Sequence, residues 1–160
     1  MNTPNWYTEV ISQWPRFGSP DRCADMSLLE PTTRQAVESI IEDAHSLGIT
    51  LVPWETYRSR QRQVHLFNQG ASHLREVGVH HYGLACDLVK LVCGEPSWKG
   101  SFDFLGTLAK HYGLVWGGDW GNPGIRPAFV DAVHVQRIKV RDQAALFRGD
   151  FFPEVTYIAA

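Results

Sequence analysis

Apolar residues recur at helical spacing between Pro31 and Leu47, where Val37, Ile40, Ile41, Ala44 and Leu47 form one stripe and Gly48 supplies the stop. This predicts the main scaffold helix. Ile49 to Val52 is a short apolar run suited to a buried strand, and Trp54-Glu55-Thr56-Tyr57-Arg58-Ser59 leads from it into a second helix carrying Val64, Leu66 and Phe67 and closed by Gly70. Ser59 is the natural N-cap of that helix. Ser101 caps a third, with Phe102, Leu105, Leu108 and Ala109 on its apolar face and Gly113 at its end. Near the start of the chain, Trp6, Val10, Ile11 and Trp14 fall on one helical face behind Pro4. They make either a short docking helix or an aromatic surface for glycan stacking. A short helix over Asp142 to Phe147 and an extended tail from Phe151 to Ile158 complete the reading.

The polar positions carry the chemistry where they interrupt alternating runs. From Leu84 to about Val92 the chain alternates as a strand, with Ala85, Asp87 and Val89 on one face and Leu84, Cys86 and Leu88 on the other. A carboxylate flanked by Ala85 and Val89 is half-buried and requires a partner. His80 stands on the other side of Gly83, a residue able to take positive φ, so a chain reversal brings His80 towards Asp87. In Asp131-Ala132-Val133-His134-Val135-Gln136, His134 shares a strand face with Ala132 and Gln136. Strict alternation turns Asp131 away from His134; it joins the site only if the chain turns or bulges there, as nearby Pro123, Gly124 and Pro127 favour.

Two imidazoles and one carboxylate with a fourth position open are the ligand pattern of catalytic zinc, with Asp131 available as a base. The competing reading is two hydrogen-bonded core histidines, since the chain has seven histidines and no H-E-x-x-H. Two further features have paired readings. Arg58 sits at a strand-to-helix junction, where side chains reach into sites, yet with Arg60 and Arg62 it also fits a solvated basic face. Leu114 to Trp116 reads as a short strand entering Gly117-Gly118-Asp119-Trp120-Gly121, whose tryptophans either wall a cleft or pack on one another.

Composition narrows the classes. With 160 residues, 44% of them hydrophobic, the chain suits a single domain over residues 1–160. A net charge of -2 gives no overall footprint for nucleic acid or an anionic membrane. The three cysteines Cys23, Cys86 and Cys93 lack metal or disulfide spacing and are expected to be free thiols. Met1 to Trp6 lacks a charged leader and apolar core, and no run approaches a membrane span, so synthesis in the cytoplasm without a signal peptide is expected. A monomer is expected.

The motif H-x-x-G-x-A-x-D at His80, Gly83, Ala85 and Asp87, followed by D-x-x-H at Asp131 and His134, resembles the zinc peptidases that cut bacterial cell-wall peptides containing D-amino acids. These are D-Ala-D-Ala carboxypeptidases, vancomycin-resistance dipeptidases and L-alanyl-D-glutamate endopeptidases of phage lysis. Tyr57-Arg58-Ser59 with Gln63 resembles the family's segment upstream of the first zinc histidine, and Leu114 to Trp120 its glycine-tryptophan loop. The resemblance implies an α+β fold, a small antiparallel sheet carrying the zinc site with helices packed mainly on one side. It implies His80, Asp87 and His134 as ligands to one zinc ion, Asp131 as general base, and Arg58 beside the scissile carbonyl and a substrate carboxylate. Ser59, Gln63, Tyr82, Trp116 and Trp120 are the further candidates for substrate contact. The implied function is hydrolysis of peptidoglycan stem peptides, at the L-alanyl-D-glutamate bond, with action on the wall after release or export by another route. D-alanyl-D-alanine carboxypeptidase or dipeptidase activity, and a non-catalytic zinc-binding module of the same fold, are the alternatives.

Overall fold

The computed structural model describes residues 5–72, 77–120 and 130–153. Pro4, His73, Pro123, Gly124, Pro127 and the tail beyond Pro153 lie outside them. A four-residue helix α1 (Trp6–Glu9), with Asn5 as N-cap, is followed by a 3-10 turn over Ile11–Gln13. Helix α2 (Pro31–Ser46) has proline in its first turn, where a missing N–H costs nothing. Strand β1 (Leu51–Glu55) runs two residues past Pro53 and takes in Trp54 and Glu55, which the sequence reading placed after the strand. Helix α3 (Arg60–Asn68) is capped by Ser59 as expected. It does not bury its apolar stripe: Gln63 is the buried residue, while Phe67 is 38% exposed. The face that turns inwards is polar because it meets a cavity rather than the core.

Strand β2 (Ala85–Val92) is central. The hairpin strand β3 (Glu95–Ser97), helix α4 (Asp103–His111), strand β4 (Val115–Trp116), strand β5 (His134–Gln136) and helix α5 (Gln143–Phe147) follow. Ser101 lies one residue too early to be the N-cap of α4, although its hydroxyl accepts from Asp103 N–H at 3.1 Å. All strand pairs are antiparallel, in the order β1-β2-β5-β4, with β3 pairing the far end of β2. This is the α+β architecture with a small antiparallel sheet.

The two faces of the sheet differ in what covers them. Cys86, Leu88 and Val135 point into the main core, where Val37, Ile40 and Ala44 of α2 and Leu105 and Ala109 of α4 meet them. Asp87 and His134 point the other way. Alternation on β2 therefore sorts its side chains into core and site, with an apolar layer behind every ligand-bearing strand. At its N-terminus α2 is anchored by Glu30, wholly buried, which accepts from Thr33 N–H and pairs with Arg137 at 2.8 Å.

Gly83 makes the turn between His80 and Asp87 with φ 71°, the left-handed conformation the sequence calls for. A Cβ there would also run into the Leu28 carbonyl oxygen, itself fixed by the Trp6 indole N–H at 2.9 Å. Gly83→Ala is expected to cost roughly 2 kcal/mol, from the left-handed backbone and the backbone clash together. Urea unfolding of the two proteins checks this; an unchanged midpoint would mean that the turn relaxes freely.

Candidate metal centre and cavity

Cross-strand register builds the site. Asp87 of β2 stands opposite Glu55 of β1 on one side and opposite His134 of β5 on the other. One row across three strands thus carries two carboxylates and an imidazole on the face away from α2 and α4. A second imidazole, that of His80, comes from the 3-10 turn Val79–Tyr82. Among the described residues, His80, Asp87 and His134 offer ligand atoms that all lie within 4.8 Å of one another.

The hydrogen bonds behind these ligands decide where their lone pairs point. His80 Nδ1 lies 2.8 Å from the Thr56 carbonyl oxygen, which can only accept, so Nδ1 carries the proton and Nε2 has the lone pair. Gln136 donates its amide N–H groups to the Ile138 carbonyl and Gln143 Oε1, which turns its own oxygen towards His134 Nε2 at 2.8 Å. The His134 proton is therefore on Nε2, and the Nδ1 lone pair faces Asp87 Oδ1 at 3.1 Å. Nε2 of His80 is buried, lies 3.3 Å from the same oxygen, and has no hydrogen-bond partner among the described residues. Two nitrogen lone pairs converging on a carboxylate repel unless a cation lies between them. A proton relieves one such contact; a divalent ion satisfies all three, and the N₂O donor set fits zinc.

The electrostatics agree with that geometry. Burial opposes a charge on Asp87, but the adjacent His80 and His134 outweigh it and hold the carboxyl well below its ordinary range. Burial likewise opposes charging His134, yet Asp87, which would accept a bond from the protonated ring, and the charges of Asp87 and Asp131 raise its pKa. Asp131 is pushed upwards by burial and then by the Asp87 charge, against the pull of His134, His80 and Arg58. The expected turn is present: His134 N–H donates to the Asp131 carbonyl at 3.2 Å, and Asp131 N–H donates to the Gly117 carbonyl at 3.1 Å. Gly117 permits this approach, since a Cβ there would strike the Asp131 carbonyl and crowd His134.

A cavity of about 710 Å³ opens over the three ligands, and Arg58, Gln63, Trp120 and Asp131 are in its wall. Arg58 donates to Glu55 Oε1 at 2.7 and 3.1 Å and to Gln63 Oε1 at 3.2 Å, with Asp87 Oδ2 at 3.5 Å. The tilted Trp120 ring stands 4.9 Å from that of His134. Three other candidates lie elsewhere. Ser59 is 1% exposed, caps α3 and donates to the Ser19 carbonyl. Tyr82 stacks with Phe147 and meets Tyr7. Trp116 packs on the main core and donates to the Ala132 carbonyl at 2.8 Å, holding the turn before His134. These three support the site without facing the cavity.

The sequence reading missed Glu55, Arg62, Thr56 and Gln136. Glu55, 2% exposed, bridges Arg58 and Arg62, the latter at 2.9 Å. Arg62 is thus part of the cavity wall rather than a solvated face. The available signals were a charge inside an apolar strand with an arginine three residues on, and a glutamine sharing the face of His134.

These features define a mixed α+β protein whose antiparallel sheet presents a His/Asp/His cluster able to hold a metal ion beneath an open cavity. No protein-family model matches the chain. It is 30% identical over 117 residues to the L-alanyl-D-glutamate peptidase of Listeria phage A118, covering 71% of this chain and 39% of that protein, so it spans about two fifths of the phage protein's length. It is 29% identical over 129 residues to the peptidoglycan L-alanyl-D-glutamate endopeptidase CwlK of Bacillus subtilis strain 168, covering 69% of this chain and 74% of that one. The crystal structure of Serratia marcescens L-Ala D-Glu endopeptidase ChiX superposes with a TM-score of 0.58 at 20% identity, over 78% of this chain and 94% of that one. The chain is thus similar in sequence to two L-alanyl-D-glutamate peptidases and shares the fold of a third.

Equilibrium dialysis against zinc is expected to give about one ion per chain in the wild type and none at this site in His80→Ala or His134→Ala. Gln136→Ala is expected to weaken binding by about 10- to 100-fold, because it frees the His134 tautomer. Wild-type affinity in Gln136→Ala would refute the tautomer argument. For Glu55→Gln the expectation is unchanged zinc stoichiometry with a lower urea midpoint, since two half-buried arginines lose their shared counter-charge.

Proposed function

We propose that the chain is a zinc-dependent peptidase that hydrolyses peptidoglycan stem peptides at the bond between L-alanine and D-glutamate. The observation that carries this reading is the convergence of the His80 and His134 lone pairs on Asp87 with Asp131 and Arg58 in the same cavity wall. A structural metal site closes with a fourth protein ligand and has no use for a half-buried carboxylate beside it. Sequence similarity to the phage and Bacillus peptidases supports the reaction class, and their names support the bond.

His80, Asp87 and His134 would hold a zinc ion, which when bound would supply Lewis acidity to a water and to the scissile carbonyl near neutral pH. The remaining work falls to this chain's own residues. Asp131, with its pKa raised, is the base that takes the proton of the attacking water and returns it to the leaving amine. Arg58, oriented by Glu55 and Gln63, directs positive charge at the oxygen that becomes negative and at the D-glutamate carboxylate. Thr56 and Gln136 keep the two imidazoles in their metal-binding tautomers. No step uses a serine or cysteine nucleophile.

Digestion of purified peptidoglycan followed by mass analysis of the fragments tests the assignment. New L-alanine C-termini and free D-glutamate amines are expected; release of a terminal D-alanine would instead establish the carboxypeptidase alternative. Asp131→Asn is expected to retain zinc and lose most turnover, because an amide cannot accept the water's proton. Equal zinc loss in Asp131→Asn and His134→Ala would overturn the division of roles. Arg58→Lys is expected to lower turnover by at least about tenfold at wild-type zinc content, since an ammonium cannot reproduce the planar fork.

A further inference from the structure

Of the six tryptophans, Trp6, Trp14 and Trp116 pack against the apolar clusters of the fold. The other three, Trp54, Trp98 and Trp120, belong to none of those clusters and all line the cavity over the metal site. Trp120 is accounted for by its contact with His134. Trp54 and Trp98 are not accounted for by the metal site, the base or the arginines.

Their placement is built. β1 pairs Pro53 with Leu88 and Glu55 with Asp87, so Trp54 is the extra residue of a β-bulge. Bulges re-aim side chains beside functional sites; this one brings both Trp54 and Glu55 into the cavity wall. Arg22 holds Trp54 from behind, its guanidinium 3.8 Å from the ring centroid and donating to the Trp54 carbonyl at 2.6 Å. Trp98 follows β3 in a turn tied to β2 by Lys90, whose ammonium donates to the carbonyls of Lys99 and Ser101 at 3.0 and 2.8 Å. The two indoles meet edge to face with centroids 4.8 Å apart, yet Trp98 is still 48% exposed. A large aromatic fixed in a cavity wall and left half in water has surface available for a ligand.

We propose that Trp54 and Trp98 form a sugar subsite that binds the muramoyl ring carrying the stem peptide. This deepens the proposed function and rests on it for the choice of sugar. In the wall, the amino group of the L-alanine is acylated by the lactyl ether of that ring, so the ring lies one residue from the bond to be cut. A pyranose presents axial C–H groups on one face, and these carry partial positive charge that matches the negative face of an indole. Arg58 and Arg62, clustered around Glu55 in the same wall, are available for the carboxylates of the substrate.

The test is a binding measurement that involves no turnover, using N-acetylmuramoyl-L-alanine as probe and N-acetyl-L-alanine as the matched compound without the ring. Titration calorimetry with the zinc-loaded protein is expected to show about tenfold tighter binding of the muramoyl compound, a size typical of one aromatic stacking contact. Trp98→Ala is expected to abolish that advantage, and Trp98→Tyr to restore most of it. Trp54→Phe, which keeps an aromatic ring at the bulge, checks the second wall with an expected loss of a few fold. Equal binding of the two probes by the wild type, or an advantage that survives Trp98→Ala, overturns the subsite. A Trp98-dependent advantage in a protein that cuts no wall peptide would sustain the subsite and sink the peptidase reading instead.

Discussion

The carboxylate of Asp87 is the constraint around which the structure is arranged. It lies in a central strand with the apolar core directly behind it, and a buried, uncompensated charge there costs at least several kcal/mol. Compensation comes from three directions at once. His80 reaches it from the turn before β2, His134 from the strand beside it, and Arg58 from the end of β1. Each of those elements has its position set by register or by a turn, so the charge is satisfied only when β1, β2 and β5 are correctly paired. The fold and the site are, to this extent, one requirement.

A second layer orients the imidazole lone pairs as a metal would require rather than as a hydrogen-bonded cluster would. Backbone carbonyls are reliable acceptors, and the structure uses two of them to choose protonation states: Thr56 fixes His80 directly, and Ile138 fixes Gln136, which fixes His134. The chain of donors runs outward from the metal position to groups whose polarity cannot change. Had Gln136 faced the other way, His134 would have carried its proton on Nδ1 and bonded Asp87 as an ordinary core histidine. The glutamine orientation therefore separates the two readings that the sequence leaves open for this residue.

Much of the architecture was legible because it depends on local patterns. The stripe of Val37, Ile40 and Ala44, the cap at Ser59 and the alternation through Asp87 each predict an element with a face, and each element is present. The ligands were legible because a histidine or carboxylate on an apolar strand face is conspicuous. Glu55 was not, since its role depends on a bulge and on pairing with a strand more than thirty residues away, neither of which leaves a local mark. That Ser59, Tyr82 and Trp116 lie outside the cavity lining was not legible for the opposite reason: they neighbour the motif in sequence, and local spacing does not say on which side of a turn a side chain emerges.

The polar face of α3 shows why periodicity alone underestimates such a site. A helix against a core reveals itself by apolar residues at its buried positions, whereas α3 buries Gln63 and places Arg62 beside it because what it faces is a water-accessible cavity. The same reasoning applies to β1, where Trp54 and Glu55 follow one another and both turn into the cavity, a sequence that alternation assigns to opposite faces. Functional surfaces are assembled where the periodic rule is suspended by a bulge, a cap or a close glycine approach. Here those suspensions occur at Trp54, which lines the space above Asp87, and at Ser59, Gly83 and Gly117, which fix the backbone next to Gln63, His80 and Asp131 that line it.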